Sequence, residues 1–207
     1  MIINEDTIIA IIRGVQPEGV SDIVKALVEE GICWIEVSLS EEEMGLACLR
    51  RLTQEYVGDL HLGAGTVTSP VQVDQALDAG AQYIITPGWD RELVRYAQKR
   101  EICIFPGVYS PGEIMQARNE GIDIVKLFPA GCLGTDYIRN LFGPFPTLRL
   151  MAVGGINQHN IRDYFKAGCT SFAIGSDLVP RGASRQQLDS IRKKARQYRE
   201  LADALQK

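Results

Sequence analysis

Short apolar runs rich in β-branched residues recur along the chain, each followed by a longer stretch whose apolar residues repeat every three or four positions. The first run is Thr7 to Gly14, and the stretch after it runs from Pro17 to about Glu30, with Gly31 as its stop. Proline suits the first turn of a helix and glycine its C-terminal cap. The run CWIEVSLS precedes a predicted helix from Glu41 to about Tyr56. LHLGAGTV precedes one that opens at Ser69-Pro70 and ends at Gly80, and QYIITPG precedes one from Asp90 to about Arg100. In the second half CIFPGV leads to a helix opening at Ser110-Pro111 and closing at Gly121, and IDIVKLFPA to a helical stretch across Asp136 to Leu141. LRLMAVGGI leads to a helix from Asn157 to Ala167 capped by Gly168, and SFAIGSDLV to a terminal helix over about 184–206. That last helix carries one apolar stripe, Leu188, Ile191, Ala195, Tyr198, Ala202 and Leu205. The charges between, Arg192, Lys193, Lys194, Arg196 and Arg199, read as its solvated face.

Eight strand–helix units whose strands are apolar on both faces predict a parallel sheet covered by helices. At eight units the sheet closes, so the expected fold is α/β, a single (β/α)8 TIM barrel. An open doubly wound sheet is the alternative, but no strand is followed by a GxGxxG fingerprint. No stretch reads as a linker, so residues 1–207 are expected to form one domain.

Composition narrows the function. The 207 residues are 45% hydrophobic and 23% charged, with 22 basic against 26 acidic side chains and a net charge of −4. That balance gives no electrostatic ground for binding nucleic acid or an anionic membrane surface. No apolar run approaches the roughly 20 residues of a membrane span. The N-terminal MIINEDTII lacks the basic and apolar regions of a signal peptide. Five dispersed cysteines, Cys33, Cys48, Cys103, Cys132 and Cys169, form no CxxC pair and are expected to be buried, reduced thiols of a cytosolic protein. His61 and His159 are the only histidines, so no metal site is expected.

Active sites of such barrels lie at the C-terminal ends of the strands, which makes polar residues inside apolar strands informative. Lys126 sits within Ile122-Asp-Ile-Val-Lys-Leu-Phe-Pro. Its bland reading is a lysine reaching from a strand end into water. Its chemical reading is a nucleophile. A lysine at its usual pKa of about 10.4 is neutral in roughly one molecule per few thousand at pH 7. Desolvation by Val125, Leu127 and Phe128 lowering that pKa by ~3 units raises the reactive fraction ~1000-fold. In Trp34-Ile-Glu-Val-Ser-Leu-Ser, alternation puts Glu36, Ser38 and Ser40 on one face and Ile35, Val37 and Leu39 on the other. Glu36 therefore points into the barrel, either as a proton-transfer group or in a structural ion pair with Arg13.

Arg13 and Thr66 end the first and third strands and suit a substrate carboxylate, although taken singly each is more often a surface salt bridge or a turn residue. Gly63 and Gly65 suit close packing. Gly154-Gly155 and Gly175-Ser176 follow the seventh and eighth strands, where barrels bind phosphate on backbone N–H groups at a short helix N-terminus. Tight turn geometry explains these glycines equally well.

The strings AIIRG, IEVSLS, GAGTVTSP, ITPG, FPGV, VKLFPA, AVGGI and IGSDLVP, in this order, resemble the 2-keto-3-deoxy-6-phosphogluconate aldolase family, with its 4-hydroxy-2-oxoglutarate and phosphogalactonate branches. The resemblance implies a class I, Schiff-base aldolase on a (β/α)8 barrel, a homotrimer that needs no metal or cofactor. It implies Lys126 as the Schiff-base lysine and Glu36 as the general acid–base. It implies Thr66 and Arg13 around bound pyruvate, Phe128 and Pro87 as walls, and Gly154, Gly155 and Ser176 as phosphate-binding turns. Ser40 stands where several family members carry a carboxylate-binding arginine, and the resemblance implies a polar uncharged residue there in the galactonate-type branch. The expected partner is a phosphorylated 2-keto acid, cleaved to pyruvate and glyceraldehyde 3-phosphate, with 4-hydroxy-2-oxoglutarate, cleaved to pyruvate and glyoxylate, as a further substrate. Two other classes stay open: a phosphosugar epimerase or isomerase, and a barrel that binds a sugar phosphate without turnover. Zinc dependence marks the first, and absence of pyruvate release marks the second.

Overall fold

The computed structural model describes residues 3, 7–56 and 60–205. The remainder of the N-terminal stretch, residues 1, 2 and 4–6, and position 206 of the terminal helix lie outside the described residues. The chain alternates strand and helix throughout. The first half contains β1 (Thr7–Ile12), α1 (Pro17–Glu29), β2 (Trp34–Ser38), α2 (Glu42–Glu55), β3 (His61–Gly65), α3 (Pro70–Asp78), β4 (Tyr83–Ile85) and α4 (Arg91–Lys99). The second contains β5 (Cys103–Phe105), β6 (Gly107–Val108), α5 (Pro111–Asn119), β7 (Ile124–Leu127), α6 (Ala130–Leu141), β8 (Arg149–Val153), α7 (Ile161–Lys166), β9 (Cys169–Ile174) and α8 (Leu188–Leu205).

All strand pairs are parallel, in the order β5-β4-β3-β2-β1-β9-β8-β7-β6. The two ends of that order are one stretch of chain. Pro106 has no N–H to give to a ladder, so it splits the fifth barrel strand. β5 pairs with β4, and β6 pairs with β7. Counted as one, they close an eight-stranded (β/α)8 barrel.

Side-chain alternation sorts the interior into two bodies. Ile35, Val37, Leu39, Val125 and Leu127 join the cluster between sheet and helices, whereas Ile9, Tyr83, Phe105, Ile124 and Met151 fill the barrel. The helices begin where short polar side chains satisfy free backbone N–H groups. Ser69 caps α3, Asp90 accepts from Glu92 and Leu93 N–H at 2.9 and 3.1 Å, and Ser110 with Glu113 forms a capping box. Among the described residues no helix is long and apolar enough to cross a membrane.

Several elements differ from the pattern. α6 begins at Ala130 rather than Asp136, with Gly134 at φ 77 breaking its path; Pro129, Gly131 and Gly134 give that first turn the signature of a loop. α7 begins at Ile161 rather than Asn157. Asn160 Oδ1 accepts from Asn157 N–H at 2.8 Å and Asn157 Oδ1 from His159 N–H at 2.9 Å, and such local bonds compete with helix. The terminal helix is a short 3-10 turn, Arg185–Gln187, running into α8. Its apolar stripe packs as expected, but its charges are not merely solvated. Arg196 pairs with Glu30 at 2.9 Å and Arg192 with Glu29, tying α8 to α1, and Lys194 bonds to Asp177. None of the five cysteines forms a disulfide, yet only Cys48 and Cys169 are buried. Cys33 and Cys103 are half-buried, and Cys132 is exposed on the first turn of α6, the turn whose helical character the pattern missed.

Candidate active site

Lys126 stands inside the barrel on β7, 5% exposed, between Gly107 of β6 and Met151 of β8 in the sheet register. Its backbone N–H donates to Pro106 O at 2.9 Å. The reading of a lysine that reaches into water therefore fails. Its sequence neighbours Val125 and Leu127 are not what desolvates it, because they face the helices. The shielding comes from the interior: Ile124 and Met151 fill the barrel beside it, and the Phe128 ring lies 4.9 Å from its Nζ. Burial holds its pKa below the usual lysine value, the Glu36 carboxylate pulls it back up, and Arg13 pushes it down.

Glu36 on β2 is 1% exposed. Burial raises its pKa, against the opposing pull of Lys126 and then Arg13. Its Oε2 is buried without a hydrogen-bond partner among the described residues. No ion pair joins it to Arg13 among those residues, so the structural-pair reading lacks its contact. The carboxylate fits because β3 has no side chain there. A Cβ on Gly65 would stand 1.7 Å from Glu36 Oε1. Gly63, two residues earlier, leaves space for the Tyr83 ring instead, with a would-be Cβ 2.1 Å from Tyr83 Cε2.

At the mouth three hydroxyls are linked. Ser38 Oγ lies 3.0 Å from Thr66 Oγ1 and donates to Ser40 Oγ at 3.1 Å. Thr66 adopts φ 61, a left-handed conformation disfavoured for a β-branched residue. Such strain persists where the surroundings enforce it, often at functional sites.

Arg13, Phe128, Gly154, Gly175 and Ser176 line one cavity of about 170 Å³, open to water and floored by Ile11, Val153 and Ala173. Phe128 belongs both to this cavity and to the Lys126 contact, so the two regions adjoin. The loop after β9 opens with a turn in which Leu178 and Val179 N–H both donate to Gly175 O at 2.9 and 3.0 Å, and no helix forms before the 3-10 turn at Arg185–Gln187. Gly155 does not line the cavity. It packs on Gly131, where its Cβ would stand 3.0 Å from Gly131 Cα, at φ 77. Pro87 is likewise outside, against Gly107 at the end of β4. No cluster of three or more His, Cys, Asp or Glu suited to a metal occurs among the described residues.

The family model for KDPG and KHG aldolase matches residues 1–194. The chain belongs to the KDPG and KHG aldolase family. The probable 2-dehydro-3-deoxy-6-phosphogalactonate aldolase of Rhizobium meliloti is 34% identical to it over 87% of this chain and 85% of that protein. The 2-dehydro-3-deoxy-phosphogluconate aldolase of Pseudomonas aeruginosa is 37% identical over 75% and 70% of the respective chains. A KDPG aldolase from Legionella pneumophila, solved with pyruvate captured at low pH as a covalent carbinolamine, superposes with a TM-score of 0.81 at 30% identity, covering 96% of this chain and 93% of that one.

As a KDPG and KHG aldolase family barrel, the molecule also holds residues that the pattern did not single out. Thr86 is 2% exposed, accepts from Gly107 N–H at 3.0 Å and donates to Gly88 O at 2.7 Å, bracing the broken fifth strand. Tyr83 donates to Ile35 O at 2.7 Å, one residue before Glu36. Neither carried a local signal, because each acts across strands. The Ser38–Ser40–Thr66 link was half visible, since alternation put both serines on the Glu36 face.

Proposed function

We propose that this protein is a class I aldolase that cleaves a 2-keto-3-deoxy-6-phospho sugar acid to pyruvate and glyceraldehyde 3-phosphate. The observation that carries the reading is the buried pair, an amine biased towards neutrality beside a carboxyl biased towards protonation. A neutral Lys126 amine attacks the C2 carbonyl carbon. Glu36 then supplies the proton with which the carbinolamine loses water, and its carboxylate, directly or through water, removes the C4 hydroxyl proton. As the C3–C4 bond breaks, its electron pair passes into the iminium to give an enamine. Protonation of the enamine and hydrolysis release pyruvate and free Lys126.

Arg13 and the hydroxyls of Thr66 and Ser38 suit the substrate carboxylate, Phe128 suits a wall of the pocket, and Gly154, Gly175 and Ser176 suit the phosphate end. Ser40 keeps that mouth uncharged where an arginine would add a second cation. 4-Hydroxy-2-oxoglutarate, which lacks phosphate, is a second substrate, giving pyruvate and glyoxylate. The reading extends to one domain over residues 1–207, a cytoplasmic homotrimer, and turnover without metal or cofactor.

Borohydride reduction in the presence of pyruvate tests it. One adduct is expected, on Lys126, and Lys126→Ala is expected to lose the adduct and at least ~10³-fold in turnover. An adduct that forms undiminished in Lys126→Ala overturns the assignment.

A further inference from the structure

Behind the turn that carries Ser176, three side chains from two elements meet. Tyr198 of α8, fully buried, donates its hydroxyl to Asp177 Oδ2 at 2.5 Å. Lys194, one helical turn earlier, donates to the Asp177 carbonyl and lies 3.4 Å from Asp177 Oδ1. The turn itself closes on Gly175 O through Leu178 and Val179 N–H. Its other side faces the cavity, where Ser176 is exposed and the N–H groups of Ser176 and Asp177 engage no other described residue. A carboxylate one residue from an anion site repels the anion unless it is held away and offset. Here the ammonium of Lys194 offsets it, and the phenol of Tyr198 fixes the direction in which it points.

We infer that Asp177, Tyr198 and Lys194 are positioning residues for the anionic, phosphate end of the substrate, fixing the Gly175–Ser176–Asp177 turn from the helix side. The inference rests on the reading that Gly154, Gly175 and Ser176 receive that phosphate. A turn fixed before binding loses no conformational freedom when the anion arrives, so its contribution appears as affinity for phosphorylated substrate. The chemistry at Lys126 proceeds on the other end of the molecule and does not depend on it.

The test compares steady-state constants for a phosphorylated 2-keto-3-deoxy sugar acid and for unphosphorylated 4-hydroxy-2-oxoglutarate. In Tyr198→Phe and in Lys194→Gln, KM for the phosphorylated substrate is expected to rise ~5–20-fold with kcat within about twofold. kcat/KM for the unphosphorylated substrate is expected to stay within about twofold, and Lys194→Arg is expected to restore most of the loss. A general structural role moves both substrates together, and that outcome overturns the inference, as does no change with either. Lys194 is only half-buried, so its variants carry the test should Tyr198→Phe fold poorly. Ser176→Ala and competition by inorganic phosphate separate the two layers. If Ser176→Ala weakens the phosphorylated substrate alone while Tyr198→Phe and Lys194→Gln do not, the positioning role fails and the phosphate reading stands. If Ser176→Ala spares both substrates and phosphate does not compete, the phosphate reading fails and this inference falls with it.

Discussion

Gly63 and Gly65 sit two residues apart on the same strand and the same face, yet they make room for opposite things. Above Gly63 lies the ring of Tyr83, part of a floor in which Trp34 stacks on His61 with centroids 4.3 Å apart and Tyr83 meets Phe105 edge-on at 5.7 Å. Above Gly65 lies the carboxylate of Glu36, with a buried oxygen that no described residue satisfies. The floor buries apolar area and gives its one phenol an acceptor, so it stabilises the barrel. The mouth buries an amine and a carboxyl at the expense of their hydration. One layer holds the fold together, and the other draws on that stability to keep two groups away from their ordinary protonation states.

The largest break in this contrast comes from Glu36→Gln, expected to lower kcat about 10²–10⁴-fold, the usual range for removing a proton-transfer group. It also carries a sign. The carboxylate raises the Lys126 pKa, so a neutral amide lets that pKa fall further below the lysine value. The amine is the reactive form, so the acid limb of pyruvate trapping is expected to move to lower pH in the variant. A shift to higher pH contradicts the coupling. Gly65→Ala forces the carboxylate aside and is expected to lower kcat/KM by about 10–100-fold, with a circular dichroism spectrum like that of the parent. Gly63→Ala collides with a buried ring and is expected to behave the other way, losing about 1–3 kcal/mol in denaturant titration, the scale of overpacking, while kcat per folded molecule changes little. Equal effects of the two alanines on activity erase the distinction. The smallest change is Tyr83→Phe, which leaves Ile35 O without that donor at about 1 kcal/mol of stability, read as a lower Tm.

Much of this was written locally. The alternation in Trp34-Ile-Glu-Val-Ser placed Glu36 inward because a strand has period two, and the apolar frame around Lys126 marked it as a side chain in an unusual place. The eight-fold count gave the barrel, although the strand interrupted at Pro106 was visible only as a proline within CIFPGV. What was not legible is what depends on partners distant in sequence. Val125 and Leu127 flank Lys126 in the chain but not in space. The Gly63–Tyr83 fit spans two strands, and Tyr198 looked like one more apolar position in a helical stripe until its hydroxyl was seen on Asp177. Gly154-Gly155 illustrates the remaining ambiguity: one glycine lines the cavity while its neighbour packs against α6.

Thr66 carries a consequence for anyone seeking a hardier version of this enzyme. A β-branched residue at φ 61 holds about 1–2 kcal/mol of backbone strain, so a thermostability screen scoring backbone comfort ranks glycine first at this position. That exchange deletes the hydroxyl that meets Ser38. Selection for heat tolerance alone is therefore liable to trade away the cleavage reaction at this site, and libraries here are best screened for both properties at once.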